Sequence, residues 1–147
     1  MALYHYRESG LDNVWLLNGF ERHKTSEGSA MSFKNIDGLH QTIARALIAK
    51  SSRLTAKEFR FLRTELDLSQ KALGDVIGAS EQAVARWERG ITPVPAAEDR
   101  LLRALYREHA DGNAKLWEMA SALGARDDSQ ELRLKLRHGR QAWKMAA

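Results

Sequence analysis

Gln82, Ala85, Arg86 and Arg89 are the residues whose types and spacing most readily do chemistry. If residues 80–90 are helical, setting Gln82 at zero puts Arg86 at about 40°, Arg89 at about −20° and Ala85 at about −60°. Val84 and Trp87 then fall at about 200° and about 140°, on the opposite face. One face is therefore core, Trp87 included, and the other sets long donors around one small side chain. Arginine pairs bidentately with guanine, glutamine pairs with adenine, and an alanine methyl can touch the thymine methyl. Gln82 and Arg86 are the expected base-reading pair, and Ala85 is a further candidate contact. Glu81 opens the same helix, where it suits the macrodipole and could accept from a cytosine amine.

Other chemistry finds less support. His5, His23, His40, His109 and His138 show no metal-ligand spacing, so no metal is expected. Ser9 and Ser69 lack a nucleophile elbow or a paired base. With no cysteine in the chain, disulfides, thiolate zinc ribbons, iron–sulfur clusters and cysteine nucleophiles are excluded. The expectation is a protein that is not an enzyme and needs no cofactor.

The elements that must carry these residues are marked by local signals. Thr55 and Glu58 form a capping box, with Leu54 and Phe59 as the hydrophobic staple. Phe59, Leu62 and Leu66 make the stripe of a first helix. Ser69 caps a second, whose Leu73, Val76 and Ile77 point inward, and Gly78 ends it. Ser80 caps a third, running to Gly90. The tight Gly78-Ala79-Ser80 turn forces a steep crossing, the helix-turn-helix geometry used in the DNA major groove. Gly74 allows close approach of the second and third helices.

Residues 36–50 and 113–123 read as further helices, and Leu3–Tyr6, Val14–Leu17 and Ser29–Phe33 as short strands. Leu132, Leu134 and Leu136 alternate with Arg133, Lys135 and Arg137. A two-residue turn at His138-Gly139 would set Leu134 opposite Trp143 and Leu132 opposite Met145. Such a hairpin should dock, in a sheet built from both chain ends or between protomers. The expected fold is α+β: a central helical helix-turn-helix domain (51–108), an N-terminal β/α unit for dimerisation or partner binding (1–50), and a C-terminal helix and β-hairpin (109–147).

Residues 54–106 resemble the helix-turn-helix domain of the Cro/cI (XRE-like) repressors, and within them the DNA-binding domain of MqsA-type antitoxins and YgiT-like regulators. The resemblance is carried by Phe61-Leu62-Arg63, Leu66-Asp67-Leu68-Ser69-Gln70 and the run from Gly78 to Gly90. It implies a phosphate contact for Gln70 and base contacts for Gln82 and Arg86, with Ser80 and Glu81 flanking them. Ser69, Lys71 and Arg89 complete the expected DNA-backbone set. Gly74 stands where the family usually has alanine. The cysteine-bound zinc domain of MqsA antitoxins is missing, so toxin neutralisation by that route does not follow.

The 147 residues carry a formal net charge of +4 with a sequence pI of about 9.6, which favours an anionic partner. The excess is unevenly placed. Residues 51–108 hold 10 basic and 9 acidic groups, whereas residues 131–147 hold 5 and 1. The terminal hairpin thus supplements phosphate binding or is simply a solvated basic face. No stretch has the apolar length of a membrane helix, and a secretory h-region is not seen, so a cytoplasmic protein is expected. The sequence reads as a transcriptional repressor binding double-stranded DNA as a homodimer on a palindromic operator. The alternative is an antitoxin that binds a toxin protein and autoregulates its own promoter.

Overall fold

Two short antiparallel pairs open the chain. Strand β1 (Tyr4–His5) pairs with β2 (Trp15–Leu16), and β3 (Phe20–Thr25) pairs with β4 (Gly28–Phe33) around a turn at Ser26-Glu27. The computed structural model describes residues 3–113, 115–124 and 132–146, and within them the chain is α+β. Strand β3 was not expected. Its Glu21, Arg22, His23 and Lys24 are all exposed, so there was no buried face to produce an apolar alternation. Tyr4, Leu16 and Phe33 turn inward toward the helices, while Trp15 and Leu17 face solvent.

Six helices follow among the described residues: α1 (Ile36–Ile48), α2 (Ala56–Glu65), α3 (Gln70–Ile77), α4 (Glu81–Glu88), α5 (Ala96–Ala110) and α6 (Lys115–Gly124). Each start in the middle of the chain is capped as its sequence demands. The Thr55 hydroxyl accepts from the Glu58 N–H, and Glu58 accepts from the Thr55 N–H at 2.9 Å, closing the capping box of α2. Ser69 accepts from Ala72 N–H at 3.0 Å, and Ser80 from Ala83 N–H at 3.1 Å. Such caps contribute about 1 kcal/mol each. Gly78 ends α3 with φ 76°, the left-handed region where a side chain is disfavoured.

One apolar core runs through Ile43, Ala44 and Leu47 of α1, Phe59 and Leu62 of α2, Leu73 of α3, Val84 and Trp87 of α4, and Leu102 and Leu105 of α5. Tyr6 and Leu11 of the N-terminal segment join it and are almost fully buried. Tyr6 also makes a polar seam. The His40 ring bridges two partners, its Nδ1 donating to Glu65 at 2.7 Å and its Nε2 hydrogen-bonded to the Tyr6 hydroxyl at 2.7 Å. Lys57 donates to Asp12 at 2.7 Å on the same side, an exposed pair whose hydrogen bond lowers the Asp12 pKa.

Two buried carboxylates tie the loop before α2 to its neighbours. Asp99 accepts from the Leu54 N–H at 2.7 Å and from Arg103 Nε at 2.6 Å. Arg103 donates onward to the carbonyls of Lys50 and Ser52. Burial would raise the Glu58 pKa, but hydrogen bonds from Lys50 and from the Thr55 backbone outweigh it and hold it low.

The C-terminal hairpin is formed by β5 (Leu136–His138) and β6 (Trp143–Met145), but in a different register from the expected one. Leu136 faces Met145 and His138 faces Trp143, and the tip is Arg140-Gln141 rather than His138-Gly139. The pairing has slid along the strand by an even step, so the same side chains share a face. Among the described residues the hairpin pairs with neither N-terminal strand pair, so the sheet expected from both chain ends is not seen there within one protomer. The expected helix at 113–123 is seen as α6, packed on α3 and α5, with residue 114 outside the described residues.

Candidate nucleic-acid interface

Helix α4 is divided lengthwise by its side chains. Val84 is fully buried and Trp87 nearly so, the indole meeting the Phe59 ring edge to face at 5.8 Å between centroids. Gln82 and Arg86 are exposed on the other side, Ala85 is half-buried between the faces, and Arg89 is exposed at the helix end. The face arithmetic made on the sequence thus describes the helix as it packs.

The turn that sets the angle of α4 depends on Gly74, which is buried in α3. A Cβ there would lie 2.5 Å from the Ala79 carbonyl oxygen. The close approach is to the backbone of the turn that leads into α4. Ala79 N–H donates to the Gly74 carbonyl at 2.9 Å, so the turn folds back directly over that position.

A polar clasp that the sequence reading missed fixes the far end of α4. Glu88 is 3% exposed at its side chain and accepts from Arg63 Nε at 2.6 Å and Arg63 Nη2 at 2.8 Å. It also accepts from Gln70 Nε2 at 3.2 Å. Arg63 Nη1 donates to the Leu68 carbonyl at 2.7 Å. One carboxylate therefore joins α2, the α2–α3 turn, the start of α3 and the end of α4. Bidentate arginine pairing is geometrically demanding, so this clasp restricts both position and rotation of the helix. The partners lie 25 positions apart. No local pattern announces them.

The other expected contact residues are placed as follows. Ser69 and Ser80 stand exposed at the starts of α3 and α4, where free N–H groups and the positive dipole end suit an anion. Gln70 is half-buried with its amide nitrogen held by Glu88. Lys71 is exposed and pairs with Asp75 at 3.1 Å. Glu81 is exposed in the first turn of α4. Gln82, Arg86 and Arg89 are exposed, Ala85 is half-buried, and exposed serines cap the starts of α3 and α4; donors and helix starts of this kind suit phosphates and base edges.

Among the described residues, no three His, Cys, Asp or Glu side chains gather as a metal site, and no helix is long and apolar enough to cross a membrane. No significant match was found among curated proteins or solved structures. The family model described as helix-turn-helix matches residues 59–98, from Phe59 in α2 to Glu98 in α5. That span holds both helices, the Gly78-Ala79-Ser80 turn and the clasp. Residues 59–98 are therefore similar to a helix-turn-helix of the Cro/cI (XRE) type, an element that serves DNA binding in transcription regulators.

Proposed function

We propose that the protein is a sequence-specific transcriptional repressor that binds a palindromic operator as a homodimer, with α4 in the major groove. One observation carries this: α4 buries Val84, Trp87 and the Glu88 side chain and presents Gln82 and Arg86 outward, with Ala85 half-buried beside them. In this reading Gln82 and Arg86 read bases, with Ala85 and Glu81 beside them. Ser69, Gln70, Lys71, Ser80 and Arg89 hold phosphates through side chains, helix N-termini and charge. Residues 51–108 do the DNA work, and the units at 1–50 and 109–147 serve assembly and partners.

A two-fold dimer would address half-sites about 34 Å apart, one helical turn of DNA. The test is selection of bound sequences from random double-stranded DNA, followed by footprinting. An enriched palindrome protected at that spacing supports the proposal; enrichment of nothing above the starting pool refutes it.

The antitoxin reading draws on a separate observation. Leu3, Trp15 and Leu17 are exposed on the N-terminal strands, outside the helix-turn-helix. A toxin covering them would be encoded beside this gene, would co-purify with the chain and would lose activity on binding. Similarity to MqsA-type antitoxins would follow from that result, since the zinc-binding cysteines are not there to argue it.

A further inference from the structure

The β5–β6 hairpin has two unlike faces. Leu136, Trp143 and Met145 lie on one together with His138, and the three apolar residues are 52%, 68% and 63% exposed; Leu134 and Leu132, which precede β5, continue the leucine alternation and are 54% and 84% exposed. The reverse carries Arg133, Lys135, Arg137 and Lys144, with Arg140 at the tip. No acid lies among residues 132–146. An isolated two-stranded hairpin is marginal in water, and an uncovered apolar face makes it worse.

We propose that this apolar face is a homodimer contact, closing face to face on the same hairpin of a second copy of the chain. Three features of the hairpin select that occupant. The face is self-complementary: Leu136, Trp143 and Met145 share it with His138, whose ring meets the Trp143 indole edge to face, and it carries no lysine, arginine or carboxylate. An acidic partner would be drawn to the cationic reverse and would leave the leucines wet.

Area points the same way. At the exposures given, the face with the two preceding leucines amounts to roughly 650 Å², more than the few hundred Å² monomers usually expose and close to the roughly 800 Å² per partner of a standard stable interface. It falls somewhat short of that, and a dimer in the micromolar range is what the test below looks for. Charge does not oppose it. Packed sheets sit about 10 Å apart, and the two cationic faces point outward beyond that, further than the Debye length of about 8 Å at physiological salt.

This rests on the homodimer part of the proposed function and assigns it an interface. It also gives the chain's excess of positive charge a place, on the two outer faces of the hairpin pair.

The test is sedimentation equilibrium of the full chain without DNA, combined with cysteine cross-linking, which is clean because the chain has no cysteine. The wild type should show a monomer–dimer equilibrium in the micromolar range. Leu136→Glu with Trp143→Glu should weaken it at least about a hundredfold, while thermal unfolding of the helical core stays unchanged. Lys135→Gln with Lys144→Gln on the reverse face should leave dimerisation intact. Leu136→Cys and Trp143→Cys should cross-link between protomers with a short bismaleimide, and Leu17→Cys on the N-terminal strands should not.

A wild type that stays monomeric at about 200 µM, well above the expected range, overturns the proposal. So does a dimer that survives the paired glutamates, or cross-linking at Leu17→Cys alone. A monomer that binds anionic vesicles through the hairpin overturns it in favour of a lipid surface. Because the assay contains no DNA, a dimer with no sequence preference would refute the DNA reading and leave this one standing.

Discussion

Substituting Glu88 by alanine tests the idea that one carboxylate orients the recognition helix. Glu88 is 3% exposed and accepts three hydrogen bonds, two from Arg63 and one from Gln70. Its loss leaves the Arg63 guanidinium, 12% exposed, with only the Leu68 carbonyl. Stranding a buried charge in this way costs about 3–5 kcal/mol. For a chain of this length each kcal/mol moves the melting temperature by about 3 °C, so a fall of about 9–15 °C is expected. Replacing both partners, Arg63→Met with Glu88→Leu, removes the stranded charge and should cost less than Glu88→Ala alone, within about 2 kcal/mol of wild type. Urea denaturation followed by circular dichroism of Arg63→Met, Glu88→Leu and the two combined closes a double-mutant cycle. DNA affinity should fall in both variants, since neither retains the clasp. A Glu88→Ala cost below about 1 kcal/mol, or a double variant equal to the sum of the singles, would show that the clasp does not act as a unit.

Arg86→Ala should cost about 1–3 kcal/mol in operator affinity and relax preference at one base pair; equal weakening on operator and on random DNA, measured by fluorescence anisotropy, would remove its base-reading role. Gly74→Ala sets a propensity gain of about 1 kcal/mol against a Cβ 2.5 Å from the Ala79 carbonyl. The steric term of about 1–3 kcal/mol should win, so the variant should be less stable in urea; a more stable variant would place the turn further from α3. The Glu58 carboxyl titrates below its ordinary value in the folded chain. Its contribution is therefore present above the unfolded pKa of about 4.3 and disappears as pH falls through the lower folded value. Wild type should be more stable than Glu58→Gln near neutrality and the two should converge in acid, a trend read from melting curves across pH.

How much of this was legible in advance follows the range of each interaction. Thr55, Glu58, Ser69, Gly78 and Ser80 act within four residues of themselves, so the helix boundaries and the turn could be read directly. The two faces of α4 were equally plain, because helical periodicity is local. Arg63 and Glu88 were not, since nothing near either residue says that a fold will bring them together. Asp99 and Arg103 bridge to residues 50–54 for the same reason. Strand β3 escaped because a strand exposed on both faces has no apolar signal. The hairpin shows a different limit. Alternating leucines specify which face is apolar, but a slide by an even number of positions keeps them all on that face, here with Leu136 opposite Met145. The pattern therefore cannot choose among registers.

The division of labour along α4 has an evolutionary consequence. Val84, Trp87 and Glu88 hold the helix, whereas among the described residues no hydrogen bond or ion pair involves the side chains of Gln82 or Arg86. On the proposed reading, substitution at Gln82 or Arg86 changes the reader without touching the mount. A duplicated gene could drift at those two positions until its product no longer competed for the parental site, at almost no expense in folding. Sister regulators in one genome would then be insulated by two codons. The same independence makes α4 a scaffold on which a library varied at Gln82 and Arg86 should stay folded in nearly every member.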